Sequence, residues 1–209
     1  MVKKNILKAF ALAVIIMFIG GFVFPVATSL ITEHTLPYYS NGQPVNVDGK
    51  VVDSYLLAEA FNESYFFQPR PSATNYSFND SGSYSTSLSN KSTLNNLKEN
   101  LNKFEKENNV SESKIPYAMI SDSGSGVDYA IPLDGAYIQI NRIAESINKL
   151  SNNTINVTSI ENFLNNTVNH DKQRNFPIFG SYYDNVVELN IAVINYMENN
   201  KIVKKSFFN

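Results

Sequence analysis

Cysteine is absent from the 209-residue chain, which removes disulfides, thiolate metal sites and cysteine nucleophiles together and leaves the redox compartment open. Histidine is scarce. His34 and His170 lie far apart in sequence, and neither has an i+3 or i+4 ligand partner, so both read as surface or linker residues and no metal-ligand spacing is present. A basic surface is missing as well: a net charge of −2 and a pI near 5.7 leave no row of cations for a phosphate backbone, which argues against nucleic-acid binding. Charged residues make up only 17%, against roughly 25% in an ordinary soluble domain. That deficit is local, because the apolar residues crowd the N-terminus. No internal repeat is found.

What is there begins with an uncharged run of 23 residues, Ala9 to Ile31. As a helix it spans roughly 35 Å, enough to cross a hydrocarbon core of about 30 Å. The small residues Val26-Ala27-Thr28-Ser29 suggest a signal-peptidase site, but the run is longer than the roughly 7–15 residues of a signal h-region, so a retained span is expected. Lys3, Lys4 and Lys8 precede it, Glu33 follows it, and the next Lys or Arg is Lys50, so the rule that positive flanks stay inside puts the N-terminus in the cytoplasm. The expected organisation is a cytoplasmic N-terminus (1–8), a transmembrane helix (9–31), an extended linker with Pro37, Gly42 and Pro44 (32–50), and an extracytoplasmic domain (51–209). The acceptor triplet Asn-x-Ser/Thr at Asn62, Asn75, Asn79, Asn90, Asn109, Asn152, Asn156 and Asn165 agrees with an exposed domain, although an Asn- and Ser-rich chain generates such triplets by chance. On an ideal wheel Ala9, Ala13, Gly20 and Ala27 share one stripe, the kind of small-residue face on which membrane helices pack, and Pro25 is expected to kink or end the helix.

In the domain, Val51 to Phe61 reads as a short helix with Leu56, Leu57 and Phe61 on its apolar face. The stretch 62–92 has little periodicity, yet Tyr65, Phe66, Phe67, Tyr76, Phe78 and Tyr84 make it too aromatic to stay solvated, so it is expected to be irregular but ordered. Leu94, Leu97, Leu101 and Phe104 mark a helix that Ser92 could cap. Ile140, Ile143, Ile147 and Leu150 mark a second. Thr158-x-x-Glu161 opens a third that buries Ile160, Phe163, Leu164 and Val168. Tyr117 to Ile120 and Asn185 to Val193 read as strands, the latter passing toward a helix near Met197; Lys201, Lys204 and Lys205 read as a solvated tail. The fold class is α+β: one N-terminal transmembrane helix, then one domain with a small sheet and several helices.

Chemistry is harder to find. The loop Asp122 to Asp128 lacks the alternating acids and final Glu of a calcium loop. Neither Ser123 nor Ser125 has glycine two residues away on both sides, so a nucleophile elbow fails, and a serine hydrolase of another kind would need His34 as its base. A tight glycine turn is the reading that remains. Gly49-Lys50 has no glycine five residues earlier and is not a phosphate-binding loop. No catalytic residue, metal ligand or directly bound cofactor is assigned. An anchored extracellular hydrolase and a surface binding module presenting the aromatic stretch are the alternatives to an accessory subunit.

Three motifs in order point further. Phe67-Gln68-Pro69-Arg70-Pro71-Ser72-Ala73 resembles the F-x-x-R-P-S-A motif of the KdpC family, the C subunit of Kdp-type potassium-transporting P-type ATPases. Ser123-Gly124-Ser125-Gly126-Val127-Asp128 is similar to that family's S-G-S-G-L-D block and is followed, as there, by a helix with Gln139 and Arg142. Asn185-Val186-Val187-Glu188-Leu189-Asn190 resembles its closing N-V-L-x-L-N strand. There are departures: Ala58-Glu59 stands where the family has Gly-Gln, Tyr129 to Leu133 replaces D-P-x-I-S-P, and Ser89-Asn90-Lys91-Ser92 lacks the proline of T-N-P. The resemblance implies a non-catalytic subunit of a potassium-uptake complex, with a channel-like subunit, a P-type ATPase subunit and a small single-helix subunit as partners. It also implies ATP as a ligand of the complex, through the ATPase subunit. Phe67, Arg70, Pro71, Ser72, Ser123, Gly124, Ser125, Gly126, Asp128, Gln139, Arg142, Asn185 and Asn190 are its candidate interface or structural positions, and Ala9, Ala13, Gly20 and Ala27 its candidate helix-packing positions.

Overall fold

The computed structural model describes residues 2–47, 49–83, 89–174, 176 and 178–203. Tyr84, Lys204 and Lys205 lie outside the described residues. The chain falls into two compact units, Met1–Val45 and Asn46–Asn209.

The first unit is helical. Helix α1 (Val2–Phe18) passes through a π-helical turn (Ile19–Val23) into α2 (Phe24–Thr35), and a single turn, α3 (Pro37–Ser40), comes next. Phe10, Ile16, Phe18 and Phe22 all lie exposed on it, so this helix has no protein core of its own, and Lys4–Thr35 is long and apolar enough to cross a membrane. Pro25 neither ends nor breaks the helix. It has no N–H to give the carbonyl one turn back, and the widened turn just before it absorbs the mismatch. The hydroxyl of Thr28 donates to the carbonyls of Phe24 and Pro25, which helps satisfy the backbone there. The widened turn lies between Ala9 and Ala13 on one side and Ala27 on the other, and Gly20 falls within it. The stretch expected as an extended linker is mostly ordered: α2 runs to Thr35, Pro37 starts α3 and Pro44 opens a strand.

Strands β1 (Pro44–Val47) and β2 (Lys50–Ser54) form a two-stranded sheet, turned at Gly49 with φ +81°. The helix expected over 51–61 is absent because β-branched Val51 and Val52 continue β2, after which the chain runs irregularly to the Phe66-Phe67 pair. Helix α4 (Lys91–Asn108) is capped by Asn90, not Ser92: the Asn90 side chain accepts from the Ser92 backbone N–H at 3.0 Å. Tyr117–Met119 is a 3-10 turn, not a strand. Pro116 precedes it, its carbonyl accepts from Met119, and Met119 is the one side chain in the turn that is buried.

Three antiparallel strands in the order β3-β5-β4 make the main sheet: β3 (Ala130–Pro132), β4 (Gln173–Arg174) and β5 (Tyr182–Asn185). Ala130 faces Asn185, and Ile131 faces Asp184. Helix α5 (Leu133–Leu150) packs chiefly on α6 (Val157–Asp171), and α7 (Val186–Asn199) packs on α6. The expected strand over 185–193 is therefore helix from Val186 onward, because the Asn185 side chain accepts from the N–H groups of Val187 and Glu188 and ends the strand there. Asn156, not Thr158, caps α6 in the same way. The core is Ile131, Ile143, Ile147, Ile160, Leu164, Val168, Val186, Leu189 and Met197, each fully buried and each contributing about 1.5–3 kcal/mol by removal from water. Leu150, expected in that stripe, is 46% exposed because it ends α5 beyond the reach of α6. Phe163 is half-buried and stacks on Tyr196 at 4.3 Å. The architecture is the expected α+β class.

Candidate functional site

The irregular segment 62–83 is where the three motifs meet. It satisfies only part of its own backbone, through isolated turns such as Phe66 N–H to the Glu63 carbonyl, since it forms no helix and joins no sheet, yet Phe66 and Phe67 are buried in it. Two side-chain amides supply what a neighbouring strand would. Asn190, on α7, accepts from the Phe67 N–H at 2.7 Å and donates to the Phe67 carbonyl at 2.9 Å. Gln139, on α5, accepts from the Gln68 N–H at 2.7 Å and donates to the Gln68 carbonyl at 3.2 Å. An amide carries one donor side and one acceptor side at peptide spacing, so each residue closes a complete pair with the backbone of one residue.

Arg142 braces this clasp. Its guanidinium donates to Gln139 Oε1 (2.8 Å), Asn108 Oδ1 (2.9 Å) and the Ser64 carbonyl (2.6 Å), and burial lowers its pKa to about 10, still charged at neutral pH. The amides and Arg142 thus form one continuous network joining α4, α5, α7 and the irregular segment.

The second half of the site joins the Arg-Pro-Ser motif to the glycine turn. Arg70 pairs with Asp128 at 2.9 Å and also donates to the carbonyls of Ala118 (3.2 Å) and Asp122 (3.4 Å). The Pro71 carbonyl accepts from the Ser123 N–H at 3.0 Å. Ser72 accepts through its hydroxyl from the N–H groups of Thr74 and Tyr76, folding the segment back, and the Tyr76 hydroxyl donates to the Arg70 carbonyl at 2.9 Å. Burial pushes the Tyr76 phenol up to about 12, so it stays a donor at neutral pH. Ser123 is buried, and its hydroxyl accepts from the Gly126 N–H at 3.0 Å, a turn-closing contact with no imidazole beside it among the described residues. Ser125 is exposed, and its hydroxyl accepts from the Val127 N–H. His170 is exposed beside Asp171, and His34 belongs to the N-terminal unit. Gly126 has φ +83°, and a Cβ there would collide with Thr74 Oγ1. Gly124 has open space around it and is not constrained in this way.

Of the thirteen candidate positions in the domain, those from Phe67 to Ser72, together with Ser123, Gly126, Asp128, Gln139, Arg142 and Asn190, belong to this one network. Asn185 lies apart in the sheet, where it caps α7 and donates to the Tyr55 carbonyl at 2.6 Å. Two residues escaped the sequence reading. Asn108 is the buried acceptor for Arg142, and Gly135 lets α5 approach Met119, whose Sδ would stand 2.7 Å from a Cβ at that position. A signal existed for the amides: Gln139 adjoins Ile140 and Asn190 follows Leu189, polar residues where helical period demands core. Beside the clasp a cleft of about 270 Å³ is lined by Gln68, Ser72, Asn100, Lys103 and Glu107 among others. A cleft of about 420 Å³ flanks Arg142 and Lys149.

The similarity of this chain to known proteins extends over most of its length. The family description "K+-transporting ATPase, c chain" (KdpC) matches residues 6–195. The "Potassium-transporting ATPase KdpC subunit" of Thermoplasma acidophilum is 53% identical over 195 residues, covering 93% of this chain and 94% of that protein. The protein of the same name from Thermoplasma volcanium is 50% identical over 202 residues, 96% of each chain. One from Caldanaerobacter subterraneus is 30% identical over 199 residues, covering 95% of this chain and 98% of the relative. A match that includes the apolar helix, the clasp and the closing helix together means that this chain belongs to the KdpC family, the C subunits of potassium-transporting ATPases.

Proposed function

We propose that the chain is a non-catalytic accessory subunit that assembles with and stabilises an ATP-driven, high-affinity potassium-uptake complex. The observation that carries this reading is the family match over 6–195, which takes in the apolar helix and the domain alike. The helix anchors the chain and packs on the channel-like subunit. The lysine-rich N-terminal flank keeps residues 1–8 in the cytoplasm and sends the domain outside, near the potassium entrance. The P-type ATPase subunit and the small single-helix subunit complete the complex.

On this topology ATP is held by the ATPase subunit, and any gain in its ATP affinity from this chain is transmitted through the assembly, not by a contact of the outer domain with nucleotide. The clasp supports a scaffolding role: its polar side chains are spent on holding the segment 62–83 in one shape. Detergent extraction from cells grown at limiting potassium tests the reading. The chain should co-purify with two larger membrane proteins, and recovery as a lone monomer would overturn it. A C-terminal tag cleaved by protease added to intact cells would support the orientation; a tag cleaved only after lysis would refute it.

A further inference from the structure

The described residues between β4 and β5 include three large apolar side chains that lie exposed. Phe176 is exposed, Ile178 is 74% exposed and Phe179 is 86% exposed, and the turn is closed by the Gly180 N–H donating to the Phe176 carbonyl at 2.9 Å. The rings of Phe176 and Phe179 lie 6.2 Å apart and nearly parallel, forming one apolar knob. At its base Arg174 sits 4.2 Å and Lys172 5.5 Å from the ring centre of half-exposed Tyr182. Asp171, next to Lys172 in sequence, lies 2.7 Å from His170 Nδ1, and Asp184 is near enough to Lys172 to feel its charge.

An apolar aromatic tip above a tyrosine and a cationic collar is the composition of a membrane-interface anchor, with rings at headgroup depth and cations at the phosphates. Three side chains are too few for a stable protein interface of roughly 800 Å² per partner. They suffice for a contact made at the high effective concentration that a tether provides. The chain supplies that tether: residues 36–45, between the end of α2 and the second unit, could span at most about 36 Å even if fully extended. We propose that Phe176, Ile178 and Phe179 enter the headgroup region of the bilayer in which the chain is anchored, with Lys172 and Arg174 facing anionic lipid phosphates.

This inference rests on the anchored reading, and one experiment separates the two. The chain has no cysteine, so Ile178→Cys carries a single environment-sensitive fluorophore, and Ser159→Cys on the exposed face of α6 is the control. The full chain is reconstituted in phosphatidylcholine–phosphatidylglycerol vesicles whose acyl chains are brominated near the headgroup. Flotation with the vesicles tests the anchor; a chain that stays behind refutes the anchored reading itself. For a chain that floats, a label at 178 should be blue-shifted and quenched several-fold more than one at 159. Adding Lys172→Glu should weaken that quenching on phosphatidylglycerol vesicles and leave it unchanged on pure phosphatidylcholine. A label at 178 that stays aqueous in the lone chain overturns the proposal, and so does one shielded only when the larger subunits are present, since a protein then covers the tip. Quenching indifferent to Lys172→Glu overturns the cationic collar.

Discussion

Replacing Asp184 by Asn isolates a buried carboxyl that the fold leaves without a partner among the described residues. Asp184 is 0% exposed, and among the described residues neither carboxylate oxygen has a hydrogen-bond partner. Burial is the main cause that raises its pKa from 3.8 to about 7; the nearby acids Asp171 and Glu188 push the same way, and Lys172 opposes them. The sign comes from proton counting. Below pH 3.8 both folded and unfolded chains hold the proton, and the residue does not distinguish them. Between 3.8 and about 7 the unfolded chain releases it while the folded domain keeps it, so stability falls as pH rises, and above 7 the full loss is reached. At about 1.36 kcal/mol per pKa unit the loss is of the order of 2–4 kcal/mol, the lower figure allowing for water drawn toward the charge. Asparagine has the same shape and no charge. Thermal unfolding of the full chain in detergent, followed by near-ultraviolet circular dichroism, should show the two proteins melting together at pH 4. At pH 8 the Asp184→Asn variant should melt higher by roughly 5–15 °C. A residual slope near pH 6 should survive in the variant, because burial also raises Asp53 to about 6. If Asp184→Asn leaves the whole pH profile unchanged, or melts lower than the parent at pH 8, the reasoning fails.

The clasp and the glycine turn yield further tests. Asn190→Leu keeps the branched outline with somewhat more bulk but orphans the Phe67 backbone N–H and carbonyl, and should cost about 2–4 kcal/mol in denaturant unfolding. Arg70→Ala should cost about 2–3 kcal/mol, and a double-mutant cycle with Asp128→Ala should return a coupling of about 0.5–3 kcal/mol; a coupling of zero would show that the pair is idle. Gly126→Ala should destabilise by more than about 2 kcal/mol, from positive φ and the clash with Thr74 together, and Thr74→Ala should restore only the steric part. Ser123→Ala should cost about 1 kcal/mol of stability through the lost turn bond, and a serine-directed covalent probe should leave the native chain unlabelled.

The helices and the uncharged span were legible because a single stripe of side chains decides them: Ile140, Ile143 and Ile147 on α5, and Ile160, Leu164 and Val168 on α6, all fall in the core. Caps were misplaced by two residues at both α4 and α6, since Asn90 and Asn156 compete with nearby Ser92 and Thr158 for one role and local sequence does not rank them. The strands were harder. β3 and β4 are three and two residues long, too short to show alternation, and β5 runs straight into α7, so an apolar run there fitted either state. Val51 to Phe61 failed for a related reason: Leu56, Leu57 and Phe61 have helical spacing, but Val51 and Val52 had already committed the backbone to β2. Which motif residues touch which was not legible at all, because Phe67 and its partner Asn190 lie 123 residues apart in sequence.

A segment as irregular as 62–83 stays ordered only if something outside it satisfies its backbone while its aromatic residues bury themselves. A further sheet strand would do so over many residues, but it would also force the alternation that Phe66 and Phe67, adjacent and both buried, do not have. Amides projecting from two helices impose no such period. Asn190 and Gln139 hold two consecutive residues from different helices, and Arg142 ties one of those amides to α4. Beyond them the chain is free to turn at Ser72 and to bring Arg70 against Asp128. Motifs widely separated in sequence therefore meet in this fold because each supplies one jaw of the same clamp, and that explanation requires no catalytic chemistry from any of them.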